Sequence, residues 1–344
     1  MANDKSERRK KIAKKVGKVL IFILILVLYC VYEIKFSDTD VNTNETQTDT
    51  TEQLEEDSTQ SNVEITAKGE LVLTMIDVGQ ADCFLLEQEG KTALVDCGTR
   101  STGKDAVEYL KSIGITKIDY VFSTHPHDDH MGGMYDIITN FEIGKIIIPE
   151  VEDGVVTANW YIKLMEEIYT NNYIVEDPEK GDIYYLGDAI IEVIEQMEDA
   201  RDNINNYSTV LKVSFGEMDI IMTGDAEKEV EEIILDSGVN IDAEIFKLGH
   251  HGSDTSNSEE FLDTISPEYA LISAKVGNKY EHPIKSTMEK LEERDIEVYR
   301  TDENGTVILT ITPQAVTFNC EPGDYLSGIE LEERKESKWK VMHQ

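Results

Sequence analysis

The sequence predicts an α/β fold in which two sheets pack face to face with helices outside, and three observations predict it. Strand-like runs alternate with helix-like runs in two successive halves, before and after about Ala226. Too many strand runs are joined by short turns for a single doubly wound sheet, which is the alternative reading. Acid- or histidine-bearing loops also stand at the ends of four strand runs, and such loops converge on sites in layered α/β architectures.

In the first half, strand runs cover 71–78, 83–87 and 91–96, the last two joined across Glu89-Gly90 as a hairpin. A helix pattern over 104–113 precedes a β-branched and aromatic run at 118–122 (IDYVF). A second helix is expected over about 131–139, with Gly132-Gly133 letting the backbone turn sharply into it, then a strand at 145–149 and a helix at 160–170. Strand-like runs follow at 183–185, 189–194, 208–215 and 219–223. In the second half, helices at 227–235, 258–264 and 284–294 alternate with strands at 244–248, 269–273 and 297–299. Strands at 307–311 and 315–319, joined by Thr312-Pro313-Gln314, close the pattern.

Ahead of this body, residues 1–18 are strongly basic and residues 19–36 are largely apolar. No small-residue cleavage site follows, so the segment reads as an uncleaved signal anchor with the N-terminus inside and the body outside, or secreted if it is cleaved. Residues 37–68 are too polar to offset chain entropy by burial and read as a disordered tether. The folded body is expected over 69–326, and 327–344 form a charge-mixed tail. The chain carries 69 acids against 32 Lys and Arg, a net charge of −37 that falls almost wholly on the body. Such a body repels nucleic acid unless metals and a local basic strip compensate, and its acidity also serves solubility. Cys30 lies in the anchor. Cys83, Cys97 and Cys320 fit no zinc spacing and, being odd in number, no disulfide framework, so buried free thiols are expected.

Residues 124–130 read T-H-P-H-D-D-H and hold three of the seven histidines. In so tight a loop His125 and His127 can converge on one point, and Asp129 and His130 on a second. Imidazole with carboxylate suits zinc, manganese or iron rather than calcium. The bland alternative is a polar surface loop. Three more strand ends carry Asp96-Cys97-Gly98, Thr223-Gly224-Asp225 and Leu248-Gly249-His250-His251. Taken singly each suits a turn or a helix cap, Asp225 as an N-cap for instance.

The motif H125-P-H127-D-D129-H130 resembles the signature of the metallo-β-lactamase-fold hydrolases. Within them the chain is most similar to the extracellular hydrolase domain of the ComEC-type competence proteins. The matching stretches are M75-I-D-V-G-Q-A-D-C-F, L94-V-D-C-G, T124-H-P-H-D-D-H-M-G-G, T223-G-D-A-E, K247-L-G-H-H-G-S and Y299-R-T-D-E-N-G. One short anchor stands where a full channel has many spans.

The resemblance implies an αββα sandwich with one or two Zn²⁺ ions, or Mn²⁺, at a sheet edge. It assigns His125 and His127 to one metal, Asp129 and His130 to the second, Asp225 as the bridge and His251 as the completing ligand. The further His that the family gives the first metal is absent: Asn203, Asn205, Asn206 and Ser208 occupy that loop, with Asn206 and Ser208 expected behind the ligands. Whether His250 or His251 is the ligand stays open, since neighbours on a strand point opposite ways. Asp96 is expected to fix a ligand imidazole through its far N–H. Asp129 could also orient the nucleophile. His250 or His282 could carry the leaving-group proton, although His282 also suits a helix start. Lys247 could meet a phosphate or simply be exposed.

The implied activity is metal-dependent hydrolysis of a phosphoester or phosphodiester, DNA included. A choline- or teichoic-acid-type envelope ester stays close behind because of the acidity. A lactonase or β-lactamase fits the motifs less well. The alternative from another class is a non-catalytic accessory module for DNA uptake. Beyond the membrane anchor and the substrate, no partner is evident.

Overall fold

The computed structural model describes residues 67–342, except 153, 198 and 201. The expected anchor, and the expected linker up to residue 66, lie outside the described residues. Ala67 is already buried against the core and the Lys68 N–H donates to Asp188, so the body takes in the last two residues assigned to the linker. Among the described residues no helix is long and apolar enough to cross a membrane.

The strands are β1 (Leu71–Met75), β2 (Phe84–Gln88), β3 (Lys91–Val95), β4 (Lys117–Phe122), β5 (Glu142–Ile147), β6 (Val175–Glu176), β7 (Ile183–Leu186) and β8 (Ala189–Glu195). They continue with β9 (Val210–Phe215), β10 (Met218–Met222), β11 (Ile245–Lys247), β12 (Tyr269–Ile272), β13 (Glu297–Arg300), β14 (Val307–Thr312) and β15 (Ala315–Phe318). One sheet has the order β15-β14-β1-β2-β3-β4-β5-β6 and the other β13-β12-β11-β10-β9-β8-β7.

Three apolar clusters separate four layers. Alternation within the strands divides them: Leu71, Leu73 and Met75 of β1 meet Leu211, Val213 and Ile220 of β9 and β10 between the sheets. The opposite faces, Leu85, Leu94 and Val121, pack on helices Gly103–Ser112, Met134–Asn140 and Asn159–Thr170. Ile221, Phe246 and Ile272 of the second sheet pack on helices Lys228–Ser237, Glu259–Ile265 and Lys285–Glu292. Strands buried on both faces have no polar side, which is why they read as nearly unbroken apolar runs.

Three expectations change. Gly132 and Gly133 both have right-handed φ, −60° and −78°, so they supply no special turn. They are small because the chain passes close: a Cβ on Gly133 would lie 2.0 Å from the Cys97 carbonyl oxygen. The expected tail is also a helix, Gly328–Met342, whose Leu331 is buried and whose Glu330 pairs with Lys285 at 2.7 Å. Cys83 and Cys97 are buried free thiols, whereas Cys320 is only half-buried.

Candidate metal centre

β3, β4 and β5 run parallel, as do β10, β11, β12 and β13. Their C-terminal ends bring the four ligand-bearing loops together. Backbone hydrogen bonds then lock loop to loop: Cys97 N–H to His130 O (2.7 Å), Asp82 N–H to Asp129 O (3.0 Å), Thr209 N–H to Thr124 O (2.9 Å) and His250 N–H to Gly224 O (3.0 Å). The site is therefore held by main chain before any side chain is considered.

Two groups result. Asp129, His130, Asp225 and His251 offer ligand atoms within 4.8 Å of one another, and so do His125, His127 and Asp225. Asp225 belongs to both. Its Oδ1 lies 3.2 Å from His130 Nε2 and 3.8 Å from His251 Nε2, and its Oδ2 lies 3.9 Å from His125 Nε2. It caps no helix, since the next one begins at Lys228 with Glu227 at its cap. These are the residues that the motif resemblance assigned, in the same two sets.

The far nitrogens of the buried imidazoles are occupied. His130 Nδ1 donates to Asp96 Oδ2 (2.8 Å) and His251 Nδ1 to the Ser273 carbonyl (3.0 Å). Thr124 uses its hydroxyl hydrogen on Asp96 (2.9 Å), which leaves its oxygen to accept from His125 Nδ1 (3.1 Å). Ser208 Oγ accepts the Asp225 N–H (3.0 Å) and lies 3.2 Å from His125 Nδ1. In their neutral forms His130 and His251 thus present Nε2 inward, while His125 Nε2 meets His127 Nδ1 at 2.9 Å. His130 Nε2, His251 Nε2 and Asp225 Oδ1 are buried without a hydrogen-bond partner. Converging bare nitrogens and a carboxylate are the donor set of a zinc- or manganese-type cation, so the residues fit the group that the motif implies.

Electrostatics say the same. Burial raises Asp225, but His130 and His251 outweigh it and hold the carboxyl well below its ordinary range. Burial lowers His251, but Asp225 and Asp82 outweigh it and lift the ring to about 10. Burial likewise lowers His130, yet Asp225 and Asp96 carry it well above its ordinary value. Without cations, protons on two buried imidazoles balance the carboxylates.

The remaining predicted residues divide. His250 and His251 do not sit on a strand: both adopt left-handed backbone after β11, with φ of 51° and 53°. His251 is buried in the second group, while His250 is half-buried, its Nε2 3.6 Å from Asp225 Oδ2. His282 packs edge-on against His250, ring centres 5.4 Å apart, and precedes its helix by three residues. His127, Asp129, Asp225, His250, His251 and His282 line an open cavity of about 320 Å³. Asn205 also lines it, whereas Asn206 is spent on the Glu227 N–H (3.0 Å) and Glu229 (2.9 Å) and touches no ligand.

Lys247 is corrected: its ammonium is fully buried, 2.8 Å from Asp82 Oδ2 and donating to the Leu248 carbonyl, so it neither meets substrate nor faces solvent. Asp82 is the residue that sequence reasoning missed. It lies 3.4 Å from His251 Nδ1 and 3.8 Å from His130 Nδ1, behind both ligands. Its signal was its place in M75-I-D-V-G-Q-A-D-C-F, a matched stretch to which no role was given.

A family model described as the Metallo-beta-lactamase superfamily matches residues 76–274. The chain is 29% identical over 276 residues to ComE operon protein 3 of Bacillus subtilis, covering 75% of this chain and 35% of that protein. It is 28% identical over 247 residues to Competence protein ComA of Neisseria gonorrhoeae, covering 71% and 33%. To Recombination protein 2 of Haemophilus influenzae it is 28% identical over 237 residues, covering 67% and 28%. The chain spans about a third of the length of these curated relatives.

Proposed function

The chain belongs to the metallo-beta-lactamase superfamily of metal-dependent hydrolases, and we propose from that premise that it cleaves phosphodiester bonds, with DNA or its fragments as the leading substrate. The observation that carries this reading is the pair of His/Asp groups sharing Asp225 on the wall of an open cavity. When bound, one or two zinc or manganese ions supply Lewis acidity and a water that ionises near neutral pH.

The chain's own residues do the rest. Asp129, half-buried at the cavity, orients the attacking water. His250 is the proton donor to the leaving oxygen, because it is the half-buried imidazole beside Asp225 that belongs to neither donor group around that carboxylate. Its Nδ1 is steadied by Thr255 Oγ1 at 3.2 Å, and His282 walls it from the side. Asp96, Ser208 and Thr124 hold the ligand rings in one tautomer and one orientation.

The likeness to competence proteins supports a nucleic-acid substrate, and the proposal includes tethering outside the cell by residues 19–36, on the sequence alone. The net charge of −37 favours a second reading, a small or envelope phosphodiester of the phosphorylcholine or teichoic-acid type. Full chain loaded with Zn²⁺ or Mn²⁺ should hydrolyse bis-p-nitrophenyl phosphate and single-stranded DNA, and Asp129→Ala and Asp225→Ala should each lower the rate by roughly a hundredfold or more. Turnover of p-nitrophenyl phosphorylcholine alone would select the second reading. Hydrolysis that survives both substitutions, or none with either metal, would refute catalysis at this site.

A further inference from the structure

Beside the metal cavity lies a second one of about 460 Å³, lined by Gln80, Thr99, Lys275, Asn278, Lys279 and Tyr280. The two cavities share Asp128, Asp129 and Tyr280 in their walls, so they adjoin at the candidate ligand Asp129. In a strongly negative molecule this second cavity is lined by two lysines, Lys275 and Lys279, against two acids, Asp128 and Asp129. Asp128 is already paired with Arg100 at 2.6 Å, and Asp129 belongs to the metal group. Lys275 and Lys279 are both exposed, and neither forms a salt bridge among the described residues; Lys279 is held by the Tyr280 hydroxyl and feels the nearby charge of Asp129. Some other exposed lysines are paired with acids, as Lys117 is with Asp119 and Lys180 with Glu195.

The loop that carries the two lysines is built to hold them there. The Lys275 N–H donates to Gln80 Oε1 at 3.2 Å, and Asn278 closes the turn through the Lys275 and His282 carbonyls. The Lys279 ammonium stands over the Tyr280 ring, 4.5 Å from its centre, and that ring stacks on His282 at 5.7 Å. The stack connects the loop to the wall of the metal cavity. Gln80 Nε2 is buried without a hydrogen-bond partner, a spare donor at the same cavity.

We propose that Lys275 and Lys279 bind the phosphate neighbouring the scissile one, so that the substrate is an oligonucleotide rather than an isolated phosphodiester. The inference rests on the phosphodiesterase reading and specifies its substrate. Two ammoniums next to the reaction centre offset local repulsion by the acidic body, which a phosphorylcholine ester, with one phosphate and a cation, would not need.

The test is binding of a methylphosphonate-linked dithymidine, with and without a 5′-phosphate, to the Zn²⁺-loaded full chain across a salt series. The 5′-phosphate should tighten binding roughly fivefold or more at low salt. In K275Q/K279Q that gain should vanish and the slope of log affinity against log salt should fall by roughly 0.7, while K275R/K279R should keep both. A 5′-phosphate without effect in the wild-type chain, or an equal effect in K275Q/K279Q, would overturn the inference. So would a glycerol-phosphate dimer that gains from a terminal phosphate where the dinucleotide does not. Failure of the phosphodiesterase reading is seen separately, as absent hydrolysis of natural dithymidine phosphates at any metal loading.

Discussion

Behind the ligands, Lys247 and Asp82 form an ion pair with both side chains almost fully buried. Burial raises Asp82, but Lys247 and His251 outweigh it and keep it ionised far below its ordinary value. Removing one partner of such a pair leaves the other charge without compensation. Lys247→Met should therefore destabilise the fold by about 3–5 kcal/mol in denaturant unfolding, and Lys247→Met with Asp82→Asn by clearly less. Asp96→Ala, which frees His130 Nδ1, should weaken metal binding by roughly 10–100-fold while the protein stays folded, as read by titration against a competing chelator. His250→Gln separates proton donor from ligand. The expected outcome is a loss of roughly a hundredfold in kcat with the metal content unchanged, whereas loss of one ion would make His250 a ligand.

At the scale of elements, the His loop is positioned by glycines at close approach. The Cβ of Gly133→Ala would lie 2.0 Å from the Cys97 carbonyl oxygen, and Gly103 leaves no room to retreat because its own Cα faces Gly133. That substitution should cost about 1–3 kcal/mol or more in thermal or denaturant unfolding, and with it the register of Asp96 against His130. Elements of this kind were legible in outline. Apolar strand runs and helix-period patterns located nearly every strand, because strands buried on both faces and helices with one apolar side leave opposite signatures. The two-residue strand β6 was too short to leave one. The terminal helix 328–342 was missed because it buries little beyond Leu331 and is held by Arg334 to Glu303 and Asp324, pairings made across the fold.

At the scale of the whole molecule, the buried charge at the site sets how stability responds to pH. His130 and His251 have raised folded values, His251 about 10 against an ordinary 6.5. Their stabilising contribution is complete below about pH 6.5 and is lost as pH rises towards 10. Metal-free protein should show a falling Tm over that window, and Zn²⁺ should flatten the decline by replacing the protons. The candidate donor residues were legible because six residues of one loop and three strand ends carry the motif, and local sequence preserves such clusters. Lys247 and Asp82 were not, because only the packing of β11 against the loop after β1 decides whether that lysine meets water or an acid. Asp225 belongs to both donor groups and would serve a cation in each. Calorimetric titration of Zn²⁺ into the metal-free full chain and into Asp225→Asn tests this. Two unequal binding events in the wild-type chain, the tighter lost with His251→Ala and both weakened in Asp225→Asn, are predicted. No binding, or binding unchanged in Asp225→Asn, would contradict it.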